Sequence, residues 1–108
     1  KAELPKKTKE LDIDTLKVTV RDLNSNDIKS RNLNKNLKGA VIVEISKRSP
    51  VAGMLNVNDV IIEIQKKPIQ KIENLDNLIK RVKGQGQPLY LTIINNNNQR
   101  RYLGVKLK

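Results

Sequence analysis

Residues 39–61 read GAVIVEISKRSPVAGMLNVNDVI, and this stretch decides the fold. Its β-branched opening predicts a strand over residues 40–45, because such side chains pack well on a pleated surface. The polar letters SKRSP then break that strand. A second apolar run predicts another strand over residues 60–64. Two strands are therefore expected, joined by a compact connection.

The connection between these strands carries its own capping signals. Ser49 is expected to be the N-cap of a single helical turn over residues 51–55. Pro50 then lies at the first helical position, where its missing N–H leaves no hydrogen bond unmade. Asp59 is expected to accept hydrogen bonds from backbone amides in the turn before the next strand. These signals predict a short helix lying close to the sheet.

The rest of the chain supplies further strands and one long helix. Leu16, Val18 and Val20 alternate with polar residues, which is the period of a half-buried strand. Further along, apolar residues recur at helical spacing until a glycine stops them. The remaining elements are a loop with about one helical turn at residues 24–38, the helix at 72–82, and strands at 89–94 and 100–107.

This order indicates a mainly β (α+β) fold, a small antiparallel β-barrel or sandwich of about five strands with one short and one long helix. Residues 1–14 are rich in Lys and Glu and show no sustained apolar period. They are expected to be a linker that packs only at Leu11 and Ile13. The folded domain is expected over residues 15–108. Because the chain begins without Met, we expect it to be part of a longer protein.

Composition excludes several kinds of chemistry. The 108 residues include no Cys and no His, which excludes disulfide frameworks, Cys or His catalysis and the usual zinc sites. The serines have no His to act as a base, so no catalytic residue is expected. No metal site and no cofactor are expected either. The longest apolar runs are far shorter than the roughly 20 residues of a membrane-spanning helix, and no signal-peptide pattern opens the chain.

The net charge of +11 raises the alternative of a basic module for polyanions or anionic surfaces. The lysines are scattered through every segment, which favours a generally cationic surface over one dedicated stripe. No nucleic acid partner is expected. Ionic strength separates the two possibilities, because polyanion binding weakens steeply with salt and strand addition into an apolar groove does not.

The motifs taken in order resemble the PDZ domain of HtrA/Deg-type serine proteases. In that pattern a strand leads to Ser-Pro-Ala-Ala, a short helix, a Gly-Asp turn and the next strand, which corresponds to residues 39–61 here. The resemblance continues through KPI at residues 67–69 and spans about residues 16–108. Asn58 stands at the usual Gly position and tolerates positive φ. Two lysines at residues 66–67 replace Asn-Gly, which implies a different turn in the same connection.

The resemblance implies a peptide groove between one strand and the long helix, where a partner's C-terminal segment adds as a strand and its carboxylate meets backbone N–H groups. In the circularly permuted bacterial form, the loop that binds the carboxylate and this strand come first in the chain, at residues 15–18 and 19–23. The strand is expected to be an exposed edge, and Lys17 occupies the usual Gly position of the loop. Ile72 is favoured for the groove over Leu75 and Ile79, which fit ordinary core packing equally well. The implied groove residues are Leu16, Lys17, Val18, Thr19, Val20, Ile72, Leu75, Asp76 and Ile79.

The family's carboxylate-binding loop typically reads aromatic or aliphatic, apolar, Gly, apolar, and residues 102–105, which read YLGV, match this motif. Its late place in the chain favours a closing strand over a binding loop.

The function implied by the resemblance is a non-catalytic peptide- or protein-binding module, the last of two PDZ domains in a homo-oligomeric serine protease. It would recognise C-termini or exposed strands of other proteins in the periplasm or cell envelope. Contacts with the protease domain or neighbouring subunits would regulate assembly. A PDZ domain of another envelope protease or of a secretion protein is the alternative within the same family.

Overall fold

The computed structural model describes residues 10–106. Strands and helices follow the expected order, with short additions. The elements are β1 (Glu10–Ile13), β2 (Val18–Asp22), α1 (Ser25–Arg31), β3 (Ala40–Ile45), β4 (Val60–Ile64), β5 (Lys67–Pro68), α2 (Ile72–Gly84), β6 (Leu89–Ile94) and β7 (Arg100–Val105).

The strands form one antiparallel sheet. Its order is β1-β2-β3-β4-β6-β7, and β5 pairs with β4 beside this path, which gives seven strands among the described residues. Every named pairing is antiparallel. The mainly β fold with one long helix is therefore confirmed, and the two strands beyond the expected five are the short β1 and β5.

The core is aliphatic and lies between the sheet and α2. This helix buries one stripe, formed by Ile72, Leu75, Ile79 and Val82. Inward-facing Val, Ile and Leu side chains of the strands complete the cluster. A smaller cluster covers the other side of β3 and β4, where Leu33 and Leu37 from the segment after α1 pack on it. With no Phe or Trp in the sequence, branched aliphatic side chains do this packing.

The connection between β3 and β4 forms as its capping signals predict. The Ser49 hydroxyl accepts a hydrogen bond from the Val51 amide at 3.0 Å. The amide of Leu55 donates to the Val51 carbonyl at 3.0 Å, which closes a single turn. Asp59 Oδ2 accepts from the Asn56 amide at 2.8 Å. The cap and the turn in front of β4 are thus confirmed, but residues 51–55 form only this one hydrogen-bonded turn and no helix.

Helix α1 is longer than the single turn expected in this loop. Asn24 and Asp27 form a capping box in which each side chain accepts from the other's backbone amide, both at 2.9 Å. Arg21 on β2 donates to both carboxylate oxygens of Asp27, at 2.6 and 2.9 Å. These hydrogen bonds from Arg21 hold the pKa of Asp27 below its usual range. The pair fastens α1 to the end of β2.

The turns on either side of β4 depend on residues other than glycine at positive φ. Asn58 has φ 81°, which confirms the reading of Asn as the substitute for Gly at this position. Gln65 and Lys66 have φ 52° and 65° between β4 and β5. Positive φ at both central residues is the signature of a type I′ hairpin. The turn differs from the family pattern while the connection is the same.

Strand β1 begins inside the range expected to be a linker. Residues 1–9 lie outside the described part of the chain, whereas Glu10–Ile13 pair with β2. Ile13 is only 1% exposed and Leu11 packs against the core. The expected contacts at these two residues therefore form, and they do so as part of a strand.

Candidate functional site

Strand β2, the expected docking strand, is paired along both of its edges. On one edge it pairs with β3, and on the other with β1, where Leu11 faces Val20 and Ile13 faces Val18 in the register. The expectation that β2 would be an exposed edge was therefore wrong. The reason is the alternation of aliphatic and acidic residues in β1, which gives this short segment one apolar face to bury.

The strand β1 lies on the side of β2 where α2 packs. Helix α2 contacts both β1 and β2. Ile13 belongs to the same buried cluster as Leu75 and Ile79 of that helix. Just after β1, Asp14 borders a surface cavity together with Lys80 and Lys83 from the last turns of α2. Strand β1 therefore lies between β2 and α2, in the position that the family resemblance implies for a bound peptide.

The turn from β1 into β2 covers Asp14–Lys17, and the backbone around it is fixed by two serines. The Ser49 hydroxyl donates to the Leu16 carbonyl. The Ser46 amide donates to the Lys17 carbonyl at 2.9 Å. Lys17 has φ 54°, in the left-handed region that favours glycine. The lysine at the family's glycine position thus adopts the backbone conformation for which glycine is suited.

The implied groove residues divide into a buried and an accessible set. Six of them, with at most 3% of their surface exposed, belong to the core: Leu16, Val18, Val20, Ile72, Leu75 and Ile79. Ile72 does not differ from Leu75 and Ile79 in this respect, since all three are 0% exposed. Lys17 is exposed, and Thr19 and Asp76 are half-buried.

The accessible groove residues make polar contacts. Thr19 Oγ1 donates to Asp12 Oδ1 of β1 at 2.7 Å, across a directly opposed pair. Asp76 pairs with Lys80 one turn later in α2, with 3.2 Å between Oδ2 and Nζ. The Thr19 hydroxyl is thus available to an acceptor on whichever strand lies beside β2.

Charges of both signs surround the end of β1. Asp12 and Asp14 border one cavity with the cations Lys17 and Arg48 and with a third acid, Glu44. The pKa of Arg21 is raised, first by its hydrogen bonds to Asp27 and in smaller part by the charge of Glu10. Since such charges are exposed, each pair contributes modestly and mainly to selectivity.

A larger cavity lies near the end of β2 that pairs with the start of β1. It has a volume of about 870 Å³ and lies between the end of β2 and the start of α2. Leu23 and Ile28 contribute apolar surface, and Lys71 and Asn74 contribute polar groups. The site therefore combines a strand position beside β2 with a cavity near the Asp22 end of that strand.

A model of the PDZ domain family matches residues 14–107. The chain belongs to the PDZ domain family. The YLGV motif at residues 102–105 lies within β7, where Tyr102 and Gly104 pair with Thr92 and Tyr90 of β6. In this PDZ domain that motif is a closing strand, as expected.

The PDZ domain is also similar to a solved structure described as the HtrA-type protease AlgW with decapeptide. The TM-score is 0.68 at 26% sequence identity, and the match covers 85% of this chain. It covers 28% of the AlgW chain, so the PDZ domain spans much less than that protein's length. A search of curated proteins gave no match. Within residues 10–106, no helix is long and apolar enough to cross a membrane.

At the site of this PDZ domain, the element that sequence reasoning missed is β1. Its signal was present as the run ELDID at residues 10–14, in which Leu11 and Ile13 alternate with acids. An alternation of apolar and polar residues over only four positions, next to a charged stretch, does not distinguish a strand from a linker. These residues form a strand because Ile13 packs into the apolar space between β2 and α2, which exists only in the folded domain.

Proposed function

We propose that this PDZ domain is a non-catalytic peptide-recognition module of an HtrA-type serine protease, and that it takes an extended segment as an added strand on β2. The observation that supports this most directly is the position of β1. A strand of the same chain already pairs with β2 on the side of α2. The site therefore has the dimensions and the hydrogen-bonding edge that strand addition requires.

The likeness to AlgW supports the same proposal. That structure is described with a decapeptide, and it resembles this chain over most of the chain's length. We extend peptide recognition from it to this domain, and with it the wider context. The parent is then a homo-oligomeric envelope protease, and the partners are C-terminal or unfolded segments of other proteins, together with its protease domain or neighbouring subunits.

The roles of the proposed groove residues follow from their placement. Residues 18–20 of β2 supply the backbone edge, while Leu75 and Ile79 form the apolar floor beneath the added strand. The Thr19 hydroxyl donates to an acidic side chain of that strand, as it does to Asp12. Lys17 offers its ammonium to a C-terminal carboxylate, a charge-assisted contact next to the left-handed turn.

Fluorescence anisotropy with a labelled peptide that ends in Glu-Leu-Asp-Ile and a free carboxylate tests this proposal. We expect weak binding to the native chain, with a dissociation constant of about a millimolar or about −4 kcal/mol, because β1 carries the same four residues and is tethered beside the site. Lys17→Glu should weaken binding about threefold to fivefold, the factor that about 1 kcal/mol of exposed ion pairing represents. Lys29→Glu on the exposed surface of α1 makes the same charge change elsewhere and should leave binding unchanged.

Salt dependence separates this function from the alternative of a basic module. Binding of the Glu-Leu-Asp-Ile peptide in the groove should weaken only modestly between low and high salt, because its ion pairs are exposed and its main contributions are backbone pairing and apolar burial. Equal weakening by Lys17→Glu and Lys29→Glu, together with a steep loss as salt rises, would indicate a general polyanion surface instead.

A further inference from the structure

We propose that β1 is the resident ligand of the groove, and that an external segment of the same alternating aliphatic and acidic chemistry binds by displacing it. This inference rests on the proposed function of strand addition to β2. It goes beyond that function in three respects. It names β1 as the occupant of the site, it specifies the chemical class of the ligands, and it states that ligands compete with β1 for access.

The direction of β1 supports its role as a ligand. It runs antiparallel to β2, and its last residue, Ile13, is opposite Val18 at the start of β2. A C-terminal residue in the place of Ile13 would direct its carboxylate toward the turn that contains Lys17. Asp14 follows Ile13 in the chain, and its carboxylate borders cavities shared with Lys17 and Arg48 on one side and with Lys80 on the other. A buried aliphatic residue followed by a negative charge is thus already present at this end.

The side chains of β1 define the class of ligand. In the strand Glu10–Ile13, Ile13 is buried and Leu11 is half-buried, while the two acids are exposed. The acids lie in a domain of net charge +11: Glu10 acts on Arg21, and Asp12 borders a cavity with Lys17 and Arg48 as well as Glu44, so cations outnumber acids in the domain as a whole. The favoured external segment therefore carries aliphatic residues at alternate positions and acids between them.

Displacement is required because β2 has one row of backbone groups on this edge. Both β1 and a peptide need the same N–H and C=O groups of residues 18–21, so the two cannot pair at once. Strand β1 is also a weaker partner than the strand on the opposite edge of the sheet. It pairs over four residues, whereas β7 pairs over six with β6. The shorter strand is the one that can leave while the rest of the sheet stays intact.

An engineered disulfide tests the competition in the full chain. Asp12 and Thr19 are directly opposed and their side chains already touch, so Asp12→Cys with Thr19→Cys should link β1 to β2 on oxidation. The native chain contains no Cys, which makes the pair unambiguous. Tyr90→Cys with Gly104→Cys is the matched control, since these exposed partners join β6 to β7 away from the groove.

The probe is the labelled peptide ending in Glu-Leu-Asp-Ile, with a Lys-Leu-Lys-Ile peptide for the charge preference. The comparison is between the oxidised and reduced forms of one Asp12→Cys/Thr19→Cys chain, because the reduced form already lacks the Thr19 hydroxyl and should bind somewhat more weakly than the native chain. The oxidised form should bind about tenfold more weakly or worse, because the competent fraction falls. The control pair should be insensitive to oxidation, and Ile13→Asp, which loosens β1, should bind more tightly than the native chain.

Three results would overturn parts of this proposal in distinguishable ways. Equal binding by the oxidised and reduced forms would show that peptides bind without displacing β1, and peptide recognition itself would stand. Equal or tighter binding of the Lys-Leu-Lys-Ile peptide would refute the acidic ligand class alone. Absence of binding to the native chain, the reduced pair and Ile13→Asp alike would refute both the displacement and the proposed function.

Discussion

The replacement of Ile13 by Ala measures how firmly β1 is held. This side chain is 1% exposed and lies in the main core. The change removes three carbon atoms from a packed site, and such Ile→Ala substitutions cost about 2 to 5 kcal/mol of unfolding free energy. If Asp14 and the preceding residues were merely a linker, the cost would be close to zero.

The edge position of β1 sets an upper limit on this loss. A strand that is destabilised enough detaches locally, so the measured loss cannot exceed the free energy with which β1 docks. Ile13→Asp uses this limit, because a buried unpaired carboxylate would otherwise cost much more than the loss of the methyl and methylene groups. If Ile13→Ala and Ile13→Asp give the same loss, that common value is the docking free energy of β1.

Urea unfolding followed by far-ultraviolet circular dichroism provides the measurement, since the chain has no Trp for fluorescence. We expect Ile13→Ala to lower the free energy of unfolding by about 3 kcal/mol, or to the docking limit if that is smaller. Val57→Ala, at a side chain that is 45% exposed, is the control and should change it by less than about 0.5 kcal/mol. A loss at Ile13 no larger than at Val57 would show that β1 does not dock in solution.

Two further predictions concern the ends of β2. Lys17→Gly should raise the free energy of unfolding by about 0.5 to 1 kcal/mol. The backbone strain that Lys17 carries at φ 54° is larger than the conformational entropy that glycine adds to the unfolded chain. A lower melting temperature for Lys17→Gly would contradict this. Asp27→Asn should cost about 1 kcal/mol near neutral pH through the lost pair with Arg21. The pKa of Asp27 is lowered on folding, so its carboxylate stabilises the fold at pH values above the ordinary Asp range, and this stabilisation is lost as pH falls through the lowered pKa. The difference in free energy of unfolding between the native chain and Asp27→Asn should therefore disappear in acid. A gap that is constant with pH, measured by urea unfolding, would contradict the assignment.

The parts of the fold that could be predicted from sequence are those with strong local signals. The strands Ala40–Ile45, Val60–Ile64 and Leu89–Ile94 occur at the predicted residues, because each is a β-branched run bounded by turn residues. The helix begins at Ile72 as predicted and continues to Gly84, two residues beyond the last apolar position. Helix boundaries of this kind are set by capping contacts more than by periodicity.

The remaining elements depend on tertiary contacts. Helix α1 gains its length from the Asn24–Asp27 capping box and from the Arg21 side chain on a different element. Strand β1 gains its place from the apolar space between β2 and α2. For the site, the sequence indicated which strand and which helix meet, and it could not indicate that Ile13 fills the space between them. Which residues fill this space depends on how β2 and α2 pack in the folded domain.

The brevity of the turn Asp14–Lys17 has a consequence for any competitor. A strand tethered by so short a connection experiences an effective concentration of about millimolar or higher at its own docking site. A free peptide of equal intrinsic affinity, present at micromolar concentration, would therefore occupy only about one domain in a thousand. On the proposed displacement, the domain would respond only to segments that bind β2 better than Leu11 and Ile13 do, or that are themselves held close to it.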